Sequence, residues 1–346
     1  MAKVSNNMNT WNQTLTPADA DPAQSPSATA LATGFVSHVA DLGLIAFTGE
    51  QSASFLHSQL TNDVEHLGQN EVRLAGYCSP KGRLLASFLM WRDSESVYLQ
   101  LPRELQAAVQ KRLSMFVLRA RTKAADMTEG RVLLGLGGGD AEAVLRTWFD
   151  ALPEAPYTKL DHPLGTLLRV ADAFGAPRYL WLASPETADT VAPELAARLT
   201  VAGANAWRLS DIHAGVPVIT AATQEQFVPQ MVNLELLGGV NFKKGCYPGQ
   251  EIVARSQYLG KLKRRTALVS IDDVAIAAGT EVYTPADPEQ PCGMVVNAAP
   301  NGAGGVDALV EMKLDALEAG VVHAGSASGP ALQFLQLPYV LDKLDV

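Results

Sequence analysis

The sequence predicts an α+β protein in three parts that ends in a small β-barrel. Three observations carry this. Strand-like runs near the start are joined by a glycine- and proline-marked turn. A middle stretch alternates strand, helix, strand, strand, helix, as a ferredoxin-like α+β unit does. After Lys261, short β-like runs recur with Gly, Pro and Asp between them, which is the pattern of a small barrel.

Residues 1–30 are polar, Ala- and Pro-rich and without a periodic apolar face, and they read as a flexible lead-in. An apolar strand follows at 40–48, broken by Gly49, and then a helix from Glu50 to about Leu60 with Ser52, Phe55, Leu56, Gln59 and Leu60 on one face. Runs at 72–78 and 83–91 flank Ser79-Pro80-Lys81-Gly82, so they form a hairpin. A strand at 97–101 leads to Pro102, which opens a helix carrying Leu105, Val109, Leu113 and Phe116.

The middle unit begins with a strand at 132–136 and a helix at 141–149. Gly137-Gly138-Gly139-Asp140 between them superficially suggests a nucleotide loop. Asp140 stands where the third glycine of GxGxxG belongs, so the segment reads as a plain strand-to-helix turn. Strands at 167–170 and 179–182 and a helix from Pro185 to about Leu199 complete the unit. Barrel strands are expected at 267–271, 281–284, 293–297, 308–314 and 331–337.

The net charge of −9 argues against a surface that binds nucleic acid broadly. No apolar run reaches the ~18 residues of a membrane span, and the start lacks a secretory signal, so a cytoplasmic location is expected. Cys78, Cys246 and Cys292 are too dispersed for a disulfide framework, a zinc site or a bound cluster. The histidines have no metal-ligand spacing.

The most unusual stretch is 241–265. From Lys243 to Arg265 it holds Lys243, Lys244, Arg255, Lys261, Lys263, Arg264 and Arg265 against the single acid Glu251. Such a segment suits an anionic ligand or partner, or a solvated face matched to acidic neighbours. Cys246 follows two lysines in a glycine-bounded turn before a helix at 251–257, a setting that raises the thiolate fraction. A buried core cysteine is the alternative. Packing roles are expected for Cys78 and Cys292.

Lys244-Gly245-Cys246-Tyr247-Pro248-Gly249-Gln250-Glu251 resembles the K-G-C-Y-x-G-Q-E signature of the YgfZ family. Phe227-Val228-Pro229-Gln230, Asn233-Leu234 and Gly238-Gly239 before it are similar too. So are Trp207, Gly215–Ile219, the Gln59–Val64 block, the Cys78–Arg83 hairpin and Leu337-Pro338-Tyr339, so the resemblance spans 31–342. It implies a three-domain GcvT-like fold, that of the glycine-cleavage aminomethyltransferase, around a channel for tetrahydrofolate or a folate derivative. The implied organisation is a folate-binding domain from 31–125 and 206–261, a ferredoxin-like unit at 126–205 and a C-terminal barrel at 262–346. The implied role is assembly or repair of iron–sulfur clusters in client enzymes, some of them tRNA-modifying. The expected partners are folate and those clients, with no direct nucleic-acid or membrane contact.

By the same resemblance Cys246 is the functional residue, within Lys244, Gly245, Tyr247, Gly249, Gln250 and Glu251. Trp207, His213, Arg255 and Leu42 are the expected folate contacts. Three positions depart from the pattern. Ala86 and Ser87 stand about where the transferase carries its Asp pair, and neither can act as general acid or base. His213 replaces a Glu that holds the pterin in relatives. Leu42 falls near a position that is aromatic in some of them. Two competing readings stay open: a folate-dependent one-carbon transferase or demethylase, with Asp41, Asp63 or Glu251 supplying the carboxylate, and a non-catalytic folate-stabilised scaffold.

Overall fold

A computed structural model describes residues 10–17, 25–259 and 262–341. The expected hairpin forms the edge of a five-stranded antiparallel sheet, ordered Val72–Cys78, Leu84–Arg92, Ser96–Pro102, Leu42–Thr48, Lys123–Asp126. The helix Arg103–Val117 follows directly on Pro102 and buries Leu105, Gln106, Val109 and Leu113. The helix expected from Glu50 is shorter, Ser52–His57. Leu60 instead bridges to Tyr77 of the hairpin, and Thr61 is tied by backbone to Gly76.

The middle sheet has six strands, ordered Thr200–Ala202, Phe35–His38, Val132–Gly137, Ala176–Ala183, Gly165–Ala173, Thr158–His162. Phe35–His38 was not expected there. It pairs antiparallel with Val132–Gly137 and parallel with Thr200–Ala202, so the chain enters the middle unit before it builds the first sheet. The helix Pro185–Arg198 starts on Ser184, whose hydroxyl accepts from the Thr187 amide.

The C-terminal strands form a six-stranded antiparallel sheet curled into a half-barrel. Arg264–Ile271 and Val306–Lys313 pair along their full lengths at its centre. One apolar core joins residues from all three sheets, including Leu99, Leu180 and Leu309, and fixes the sheets against one another.

The lead-in departs from expectation within the described residues. Thr10–Thr14 is a short helix with Trp11 buried, and Leu15 is buried beside it. Asp189 accepts from the Trp11 amide (2.7 Å), and the indole meets His38 edge-on at 4.6 Å. Two apolar side chains four apart are enough to dock one helical turn. Ala28–Thr33 is also helical, capped by Ser27. No helix among the described residues is long and apolar enough to cross a membrane.

Candidate functional site: an interdomain channel and a cysteine loop

A cavity of ≈ 420 Å³ lies between the first sheet, the helix Ala204–His213 and the C-terminal sheet. A smaller alcove of ≈ 70 Å³ shares Leu42, Pro102, Trp207, Asp211, Val216 and Val218 with it. Each sheet contributes to the walls: Ser87 and Gln100 from the first, Val170 and Arg178 from the middle one, Asn297 from the third. Gly215–Ile219 is stitched between them. Asn297 makes two hydrogen bonds to the Val218 backbone (2.9 and 2.7 Å), and Ser87 accepts from the Ile219 amide (3.0 Å).

The helix Ala204–His213, absent from the sequence expectations, supplies the central side chains. Trp207 and Asp211 are four apart and share its channel face. Gly135 backs the indole so closely that a Cβ there would sit 2.3 Å from its six-membered ring. The buried Arg178 guanidinium lies over the ring, 4.8 Å from its centroid. At 4 % exposure, Trp207 is a rigid wall rather than an open stacking face.

Arg178 donates to Ala171 O (2.8 Å), Ser210 Oγ (2.7 Å) and Asp211 Oδ1 (2.8 Å). Burial pushes the Asp211 carboxyl above its ordinary value, and Arg178 offsets this only in part. Three buried polar atoms around the channel have no partner: Gln100 Nε2, Tyr157 Oη and Asp41 Oδ1. Arg103, Glu104 and the Arg208–Asp41 pair line the wider end.

Of the four expected folate contacts, Trp207 and Leu42 line both cavities. His213 and Arg255 line neither cavity. His213 Nε2 bonds Asp307 Oδ2 (2.6 Å) on the C-terminal sheet, and its ring packs on Phe174. Arg255 is exposed and pairs with Glu251 one turn before it (3.1 Å). Of the carboxylates named from the sequence, Asp41 lines the wider cavity; Glu104 and Asp211, which the sequence reading passed over, line it too, and Asp211 alone reaches the alcove. Its signal was the Trp207-to-Asp211 spacing on an unrecognised helix.

Cys246 lies outside both cavities, exposed, on the loop before the helix Gln250–Tyr258. Lys244 turns inward. Its ammonium donates to His57 O (2.5 Å), Leu60 O (3.0 Å) and Gly245 O (3.3 Å) and sits 4.7 Å from the Tyr247 ring centroid. Burial lowers its pKa to about 8, with Asp63 and Cys246 acting the other way. Gly249 has φ +79°, and a Cβ there would lie 2.4 Å from Ser79 O. The cysteine loop thus packs on the hairpin turn, whose outgoing strand carries Ser87 to the channel. Burial raises the Cys78 thiol to about 12 and also raises Cys292, so both behave as packing residues.

The basic segment is mostly matched from within. Arg264 pairs with Glu311 (2.9 Å), and Arg265 with Glu235 in a fully enclosed bridge. Lys261 lies outside the described residues. Lys243, Arg255 and Lys263 remain exposed.

No protein-family model matches the chain. It is 33% identical to the tRNA-modifying protein YgfZ of Cronobacter sakazakii over 248 residues, covering 70% of this chain and 73% of that one. With the same-named protein of Photorhabdus laumondii it shares 31% identity over 307 residues, 88% of this chain and 92% of the relative. The chain belongs to the YgfZ family. Among solved structures, the glycine cleavage system aminomethyltransferase T from Bartonella henselae superposes with a TM-score of 0.73, 19% identity, and coverage of 90% of this chain and 87% of that one. That likeness shows the fold: this YgfZ-family chain has the aminomethyltransferase fold.

Proposed function

We propose that the channel binds tetrahydrofolate or a related folate, and that this YgfZ-family chain supports assembly or repair of iron–sulfur clusters in client enzymes through Cys246. The channel itself carries the reading. It is enclosed by three domains, walled by Trp207, Leu42, Val216 and Val218, and contains buried polar atoms that no protein group satisfies. Buried polar atoms left unpaired are costly, so their concentration in one apolar pocket fits a flat heterocycle with hydrogen-bonding edges. Arg103 at the wider end suits an anionic tail. The relatives' description as tRNA-modifying supports clients of that kind.

A bound folate would supply one-carbon or reducing chemistry. The protein's share is to exclude water from the ring, hold its edges, and present an exposed thiol on a separate, rigid loop. Lys244 and the glycine contact at Gly249 keep that loop in place. Cys246, through its exposed sulfur, is the group that makes transient contact with the client, its sulfur or its metal. Ala86 is apolar and Ser87 is occupied by the Ile219 amide, so neither moves a proton here.

The test is complementation of a strain lacking its own homologue, read by the activity of an iron–sulfur tRNA-modifying enzyme. Cys246→Ser and the channel-filling Leu42→Trp should each fail to restore it while melting like wild type. Full activity from both would remove the proposal. Failure of Leu42→Trp alone would leave the scaffold reading, in which folate only stabilises the fold.

A further inference from the structure

The channel also carries information on which edge of its ligand is read. Asp211 gives one carboxylate oxygen to Arg178 and keeps 20% of its side chain exposed at the boundary of cavity and alcove. The same alcove is lined by two groups without partners: the amide Nε2 of Gln100, a residue of 6% exposure, and the Tyr157 hydroxyl. The alcove is well below the roughly 150 Å³ that holds a benzene ring, so it takes the edge of a ring system and not the whole of one. The set therefore asks for an edge that donates to a carboxylate and accepts from an amide N–H. A 2-amino-4-oxopyrimidine edge does both: its amino group and ring N–H donate, and its carbonyl accepts.

We propose that Asp211 is the specificity-determining residue of the channel, accepting from the 2-amino-4-oxopyrimidine edge of a reduced pterin while Gln100 donates to that edge's carbonyl. This rests on the folate reading above and gives it an orientation. The pyrimidine enters the alcove first, and the other ring and the tail point along the wider cavity towards Arg103. Asp211 then sits at the far edge from N5, where one-carbon units are carried. It is a binding group and does not replace the acid–base carboxylate missing at positions 86 and 87. Arg178 holds Asp211 in register, and its own place is fixed by Ala171 and Ser210.

Guanine nucleosides present the same edge, so two ligand sources must be separated. Titration calorimetry of the full chain with 6-methyltetrahydropterin, tetrahydrofolate and guanosine does so. Wild type should bind both pterins and bind guanosine at least about tenfold more weakly. Asp211→Asn should weaken both pterins by about tenfold or more, as expected when a buried hydrogen-bonding site loses its match. Because Asp211→Asn leaves the buried Arg178 without a counter-charge and so lowers stability, Gln100→Leu is the second variant. Its amide nitrogen has no partner to lose, so it should melt like wild type yet lose several-fold in pterin affinity. If wild type binds neither pterin, the folate reading itself is wrong. If wild type binds and both variants bind equally well, only the assignment of Asp211 and Gln100 falls. Guanosine binding as tight as pterin binding overturns the choice of pterin.

Discussion

Lys244 shows why a motif residue can be read correctly in place and wrongly in role. Beside Cys246 in a cationic run, it looks like a charge for an anion or a thiolate. Its ammonium instead donates to the carbonyls of His57 and Leu60, at and just beyond the end of a short helix. Lys244→Met leaves those acceptors without a donor and should lower stability by about 1–2 kcal/mol, measured by urea unfolding. It should also loosen the loop. Cys246→Ser removes only an exposed sulfur and should leave the urea midpoint unchanged. The same distinction separates Asp211 from His213. Only the first faces the channel; its spacing from Trp207 is the one local sign of this, and its partner Arg178 lies on another element of the chain.

At the scale of elements, the hairpin and the motif helix were legible because their signals are local: Pro80 and Gly82 in a turn, glycines around a cysteine, good helix formers after it. The pairing of the basic segment was not legible. Arg265 and Glu235 meet only when the first strand of the C-terminal sheet lies against the turn after Pro229. Arg265→Met should cost about 3–5 kcal/mol, since it strands a buried carboxylate, and should lower the melting temperature far more than a substitution at exposed Lys243. The helix Ala204–His213 was missed because it is buried between the middle and C-terminal sheets, so Ala206, Trp207, Leu209, Ser210 and Ile212 are covered on more than one side and show no simple amphipathic stripe. At its C-terminal end, His213 ties the middle of the molecule to Asp307. Burial pushes the Asp307 carboxyl up, but hydrogen bonds from His213, Asn301 and Ser270 outweigh it and hold it below its ordinary value. The sign follows. The contribution is present above the ordinary aspartate range and is lost as pH falls through the lowered folded-state value. His213→Gln removes the imidazole that helps hold Asp307 low, so the variant should begin to lose stability at higher pH than wild type in acid melting curves.

For the whole molecule, the cavity and its alcove open between three packed sheets, while the exposed Cys246 sits outside them. The first sheet's hairpin reaches both places, with Gly82 against the cysteine loop and Ser87 in the channel wall. The α+β class, the ferredoxin-like middle and the β-rich end were all readable from strand and turn spacing. The entry of Phe35–His38 into the middle sheet was not, because parallel pairing with residues some 165 positions away leaves no local trace. The account stands on the channel being a folate site. The most direct test is titration calorimetry of the purified chain with tetrahydrofolate, alongside Leu42→Trp. The account predicts one saturable site in wild type that disappears when the cavity is filled. Absence of binding by wild type, or unchanged binding by Leu42→Trp, would contradict it.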